Sequence, residues 1–350
     1  MQNIIIEEHD YDALYDIITA KQDYTTWSPS SLKVFLGCRF KYFLQYVKGW
    51  KITIRSPSLS LGTAFHAAAE KLNQQEALGK RTRKNELFSE FDLVWSEDTK
   101  DMVEGIHYKT ANDLVKGRQI GLDLVEKHFN SRIRKSMSPT LYTPPYAQIQ
   151  TPAVELQIDV PLVNMRTGKL YRDDHHITGF IDVVSIANKT TSHFDENSLM
   201  VIDYKTAARE WNQFSVDTNL QLLMYAYAMR YILRNENLFS HLIKDQEDLV
   251  GIVCLVKQKE NRKSEKYGKI RNYMIRIADS EIDFLERTLL KCIEELEASG
   301  DLAENYLPNP TPENCRYCEY QEPCLLARRG ARTPDILTWG EENGFLRKAN

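Results

Sequence analysis

The sequence predicts an α/β fold: a central mixed β-sheet flanked by helices, with a helical N-terminal region. Two observations carry this. Apolar residues recur at helical spacing through most of the first 135 positions, and the period then shortens to the alternation and short apolar runs of strands. Helical spacing also returns twice after the first strands, at about 212–234 and 279–298, so strands and helices interleave in the second half.

The elements follow in order. Residues 1–27 are acidic and weakly patterned and read as a short helical extension. Ser28 caps a helix with Pro29 in its first turn, and Leu32, Phe35, Leu36, Phe43 and Val47 give it one apolar stripe. A second helix covers about 61–78, and 84–135 is mostly helical, with basic stretches at Lys80–Lys84 and Arg132–Lys135. Strands are predicted at 154–160, 177–186, 199–205, 250–257 and 270–277. The organisation read from this is an extension over 1–27, one domain over 28–330 with a helical insertion at about 80–150, and a tail over 331–350.

Composition narrows the class. At 350 residues, with 42% hydrophobic and 27% charged, the chain can bury a sizeable core as an ordinary soluble protein. No apolar run reaches membrane-spanning length, and the start, MQNIIIEEHD, lacks a basic signal-peptide region. A cytoplasmic or nucleoplasmic setting without a membrane partner is therefore expected, where six cysteines favour metal ligation or burial over disulfides. The net charge of −4 means that a nucleic-acid partner would be held by local patches.

The predicted strands carry the chemistry. In LMVIDYKTA, Asp203 and Lys205 are two apart and project from one strand face, beyond the apolar Leu199 and Val201. Burying that pair is costly unless the charges meet each other or a ligand. Asp182 lies in another apolar run, ITGFIDVV. If the two strands are neighbours, Asp182 and Asp203 converge on one hard cation with Lys205 alongside; a structural ion pair is the plainer alternative. His66 in GTAFH sits on a helix, and Gln221 and Tyr225 stand one turn apart on another. Glu155, on the strand before Asp182, is either a further carboxylate of a metal shell or an exposed strand residue. Cys315, Cys318 and Cys324 form C-x-x-C-x5-C, three thiols spaced for a metal but one short of a closed tetrahedral set.

In order, Gly62-x-x-x-His66, Gly179-x-Ile181-Asp182, Asp203-x-Lys205 and Gln221-x-x-x-Tyr225 resemble the PD-(D/E)XK nuclease superfamily, in its RecB-like branch, from about Ser28 to Cys324. The resemblance implies a restriction-endonuclease-like core and a DNA nuclease dependent on Mg2+ or Mn2+. His66, Asp182, Asp203 and the Tyr204 carbonyl would hold the ion, Lys205 would serve the attacking water, and Gln221 and Tyr225 would position the lysine or the DNA backbone. It further implies an exonuclease on single-stranded DNA or DNA ends, in repair, recombination, CRISPR adaptation or phage DNA metabolism, with a helicase or a recombination or adaptation protein as partner. A subgroup that includes the AddB-type and CRISPR-associated RecB-like exonucleases carries a [4Fe–4S] cluster on one upstream and three downstream cysteines. The matching ligands here are Cys38, Cys315, Cys318 and Cys324, with zinc as the alternative and with Cys254 and Cys292 as ordinary buried thiols.

The chain departs from the pattern in lacking a proline before Asp182 and a basic residue two positions after it. It has no Walker A loop, so it is not itself a helicase. Between two predicted strands, Lys257–Arg271 holds seven basic residues against two acidic ones. Lys263, Lys266 and Lys269 are candidate DNA contacts there, against the alternative of a solvated hairpin. Trp27, Tyr42 and Trp50 are read as core residues before base-stacking ones. The competing function is a non-catalytic DNA-end-binding or scaffold subunit with the same fold.

Overall fold

The computed structural model describes residues 24–50, 56–78, 80–104, 107–133, 154–186, 199–235, 248–259, 266–316, 318–343 and 345. Its centre is a six-stranded mixed sheet made of β1 (Thr25–Trp27), β2 (Val154–Val163), β3 (Leu170–Ile186), β4 (Leu199–Ala207), β5 (Asp248–Lys259) and β6 (Tyr267–Ile277). β3 is the organising strand. β2 runs antiparallel along one edge of it, from Val154↔Val183 to Val163↔Leu170. Two strands share the other edge: β1 pairs in parallel at His175–Ile177, and β4 pairs antiparallel at Val183–Ile186. Between them, Thr178–Asp182 face a gap. β5 then lies parallel to β4, and β6 closes the order antiparallel to β5.

Helices cover both faces, each over its own apolar cluster. On one face lie α3 (Pro57–Ala77), α4 (Lys84–Thr99) and α5 (Ala111–Ile133), packing Phe65, Leu72, Phe91 and Leu124 onto Val183, Ile202, Tyr204 and Leu255. On the other lie α1 (Pro29–Gly37), α7 (Leu220–Asn235) and α8 (Asp279–Ser299), packing Phe35, Met224, Leu285 and Leu289 against Ile181, Val201 and Val256. β4 and β5 feed the two clusters alternately, as Val201 and Ile202 or Leu255 and Val256 show, while on β3 the alternation breaks between Ile181 and Val183. This is the restriction-endonuclease-like α/β architecture.

Three local readings need correcting. Thr25–Trp27 is a strand, because Thr-Thr-Trp favours extended backbone and Trp27, fully buried, fills the core beside Ile177. The helix begun at Ser28 does not run through. The Ser28–Ser31 capping box starts it, but Cys38 adopts φ −158°, ψ 111°, and the chain restarts as α2 (Arg39–Tyr42) followed by a π-helical turn, Phe43–Val47. The helix expected over 212–234 is divided into α6 (Gln213–Asp217) and α7 around Thr218 and Asn219, where the Asn219 side chain accepts the Gln221 amide.

The C-terminal segment returns to the first helices. α9 (Pro312–Cys315), α10 (Gln321–Arg328) and α11 (Thr333–Glu342) follow α8. Trp50 anchors them. Its ring stacks on Trp339 and Phe345, its carbonyl accepts the Tyr320 hydroxyl, and Gly340 leaves room for the indole. Trp27, Tyr42 and Trp50 are all buried, so packing is their role. Among the described residues, no helix is long and apolar enough to cross a membrane.

Candidate metal centre

The site forms where β3 and β4 part. Their ladder reaches Val183↔Ile202. At the next position the Tyr204 N–H donates to Asp182 Oδ2 at 2.6 Å, so a side-chain carboxylate replaces the carbonyl a regular ladder would offer. Asp182 and Asp203, nearly buried at 8% and 1% exposure, line this opening.

α3 brings His66, whose Nδ1 lies 3.3 Å from Asp182 Oδ1. Gly62, one turn earlier, faces the Thr206 hydroxyl of β4, which a Cβ there would meet at 3.4 Å, an ordinary contact. β2 brings Glu155, which stands between the Val154↔Val183 and Leu156↔Ile181 pairs and is held at φ +50°, a left-handed conformation uncommon outside glycine. Ligand atoms of His66, Glu155 and Asp182 lie within 4.8 Å of one another.

The second half of the site is a hydrogen-bonded chain from α7. Gln221 Nε2 donates to Asp203 Oδ1 at 2.9 Å and to the Tyr225 hydroxyl at 2.7 Å, and that hydroxyl donates to the Phe180 carbonyl at 2.7 Å. The last bond fills the gap on the β3 edge. Lys205 Nζ reaches both Asp203 oxygens, at 2.9 and 2.7 Å. All six side chains singled out in the motifs thus meet in one place. Tyr204 joins through its N–H, while its phenol points to the other face, where it meets Asn73 and the Phe65 ring.

The electrostatics are lopsided. Glu70, Glu155, Asp182 and Asp203 act on one another, with His66 and Lys205 as the interspersed cations. Burial, then the charge of Asp182, pushes Glu155 up to about 7. Burial also raises Asp203, partly opposed by Lys205, and raises Glu70. Burial would depress His66, but the bond to Asp182 and the surrounding carboxylates outweigh it and raise its pKa. Carboxylates crowded until they retain protons form a site short of positive charge.

A second compact group, Asp174, His175 and Glu297, is already closed. Trp27 Nε1 donates to His175 Nδ1 at 3.0 Å, so in the neutral ring the other nitrogen carries the proton. Arg172 spans both carboxylates. These residues form an ion-pair network.

The four motif cysteines are not among these compact groups; they ring a wider cavity of about 290 Å³. Cys38 comes from the break between α1 and α2, Cys315 ends α9, Cys318 lies in the turn after it, and Cys324 sits in α10. The Asn309 N–H donates to Cys38 Sγ at 3.4 Å, and the Asn309 and Asn314 side chains both donate to the Gly37 carbonyl. Cys292 is buried in α8, its thiol pushed up to about 11 by burial. Cys254 lies on β5, its side chain outside the described residues.

A model of the PD-(D/E)XK nuclease superfamily matches residues 26–325. The chain belongs to that superfamily. It is also 24% identical over 310 residues to the Gene 69 protein of Mycobacterium phage D29, an alignment covering 85% of this chain and 95% of the phage protein. The matched range begins within β1 and ends just after Cys324, so it takes in the parted strands, α7 and the cysteine cavity.

Of the candidate DNA contacts, Lys266 pairs with Glu126 at 2.5 Å and Lys269 with Glu210 at 3.4 Å, while Lys263 lies outside the described residues. Glu155 is the residue the sequence left undecided. Its signal was faint: a lone glutamate in VELQIDV reads equally as a solvent-facing strand position. Glu70 gave none beyond standing one turn after His66 on the same helix.

Proposed function

We propose that the chain is a metal-dependent deoxyribonuclease that hydrolyses phosphodiester bonds at the opening between β3 and β4. The observation that carries the reading is the crowd of carboxylates around Asp182, whose mutual repulsion a divalent cation relieves. The donor set fits Mg2+ or Mn2+, with Asp182, Asp203 and Glu155 as oxygen ligands, His66 as the nitrogen ligand and the Tyr204 carbonyl as a further oxygen. Bound there, the cation supplies Lewis-acid polarisation of the phosphodiester and favours ionisation of the attacking water.

The chain's own residues do the rest. Lys205, held against Asp203, presents a donor and a positive charge to the phosphate as negative charge builds on it. Gln221 fixes Asp203 through Oδ1 and leaves its other oxygen to Lys205 and the ion. Tyr225, tied to the Phe180 carbonyl, keeps the β3 edge from closing onto β4. DNA is the substrate this reading assigns, as a single strand or a free end, cut by an exonuclease with a helicase or a recombination or adaptation protein as partner. The non-catalytic alternative predicts no turnover with the carboxylates intact.

A [4Fe–4S] cluster on Cys38, Cys315, Cys318 and Cys324 completes the reading. It is supported by four thiols from opposite ends of the chain lining one cavity, and it would join α1 and α2 to α9 and α10. Zinc is the alternative for the same thiols.

Calorimetric titration with Mn2+ tests the centre. Wild-type protein binds, and Asp182→Asn or Glu155→Gln weakens binding at least tenfold while the circular dichroism spectrum is kept. Equal affinity in both variants would remove the centre from this place.

A further inference from the structure

Phe180 stands out beside the site. Its ring is 55% exposed, and it stands two residues before Asp182 on β3, about 7 Å away along the strand. Scattered apolar residues are ordinary on a surface, so exposure alone says little. Its placement says more. The residue opposite it on β2 is the exposed Gln157, and Thr178 precedes it on the same face, so these neighbours give the ring no apolar cover. Its carbonyl accepts the Tyr225 hydroxyl, which accepts Gln221, which holds Asp203. The ring is therefore registered against the carboxylates by a chain of hydrogen bonds, on a β3 edge that β4 leaves open.

A phosphodiester brought to Asp182 carries its flanking bases with it. An exposed, positionally fixed aromatic face at that distance has one obvious partner in such a substrate, the face of a base. In a duplex both faces of a base are covered by its neighbours in the stack, so only an unstacked nucleotide can use the ring. We propose that Phe180 is a specificity-determining stacking platform for the unpaired base next to the cleaved phosphate. This rests on the nuclease reading above and adds to it the structural reason for preferring single strands. Base–aromatic stacking tolerates any sequence, because every base has a π-face.

The test is a cycle between protein and substrate. Wild type, Phe180→Ala, Phe180→Trp and Phe180→Leu are compared on a single-stranded oligonucleotide and on the same oligonucleotide with an abasic nucleotide beside the cleaved phosphate. Both KM and the dissociation constant by fluorescence anisotropy are measured. On the intact strand Phe180→Ala should raise both by roughly 5- to 150-fold, the range of one lost stacking contact. Phe180→Trp should restore them and Phe180→Leu should not, and the penalty should vanish on the abasic strand. An unchanged KM in Phe180→Ala, rescue by leucine, or an equal penalty on the abasic strand would each overturn the platform. Wild-type protein that binds with base dependence but does not cleave would support the platform and sink the nuclease reading; protein that neither binds nor cleaves overturns both.

Discussion

Glu155 shows how one residue's backbone and charge serve the same end. Its left-handed conformation is a strained choice for a glutamate, held here by the ladder on either side, and it places the carboxylate near Asp182. Its pKa near 7 has a consequence for stability. A group whose folded pKa is raised stabilises the fold below its unfolded pKa, and that contribution is lost as pH rises through the folded value. Glu155, Glu70, Asp203 and His66 are all shifted upward, so their effects add. Metal-free protein should therefore melt at a falling temperature between about pH 5 and pH 8. Glu155→Gln should flatten that slope, and saturating Mn2+ should oppose it. Affinity for Mn2+ should rise over the same window, because ligands must shed protons to bind. A metal-free melting temperature that climbs from pH 5 to pH 8 would contradict these upward shifts. The motif residues were legible at this scale because their types and order are specific. Glu155 and Glu70 were not, since their importance comes from facing Asp182 across a ladder and a helix, which no local pattern records.

At the scale of elements, the break at Cys38 is the informative departure from the sequence reading. The apolar stripe from Leu32 to Val47 predicts one helix, and each half is helical. What the stripe could not show is that Cys38 takes an extended backbone and turns toward Cys315, Cys318 and Cys324, a tertiary demand overriding local periodicity. The joint there does not rest on thiols alone. Arg39 pairs with Glu295 at 2.6 Å, Lys41 with Glu319 at 3.0 Å, and Phe43 packs on Tyr306. The ion pairs are partly exposed and contribute at most about 1 kcal/mol each. A bound metal group crosslinking positions so far apart in sequence should add more, about 5 kcal/mol by analogy with a long-loop disulfide. Cys38→Ser should thus lose metal and lower the melting temperature by roughly 5–10 °C. Gly340→Ala, which drives a methyl into the Trp50 indole, should lower it with metal content intact. Iron near four atoms per chain supports a cubane; one zinc per chain changes the metal but keeps the staple. Full metal content in Cys38→Ser would remove Cys38 from the ligand set.

For the whole molecule, fold class was the easiest thing to read, because the switch from helical to strand periodicity near residue 154 is strong and each strand after it stands near its predicted place, β1 being the exception. The sharing of one β3 edge by β1 and β4 was not legible, and it is what creates the gap at Thr178–Asp182. With a net charge of −4, DNA affinity must come from local cations. Lys266 and Lys269 are engaged by Glu126 and Glu210, so phosphate would have to displace a carboxylate to reach either. Replacing Lys263, Lys266 and Lys269 with alanine should flatten the fall of log affinity with log salt by at most about 3 in slope, near one per phosphate contact. An unchanged slope would return the segment to a solvated hairpin.

The most direct measurement is cleavage of an end-labelled single-stranded oligonucleotide across a Mn2+ titration, with wild-type protein and the Asp203→Ala, Asp182→Ala and Lys205→Ala variants. Wild type should cut with saturable metal dependence and stop on chelation, and each variant should lose at least a hundredfold in rate while keeping its fold. Metal-independent cleavage, or wild-type rates in the Asp203→Ala protein, would contradict a hydrolytic metal centre between β3 and β4.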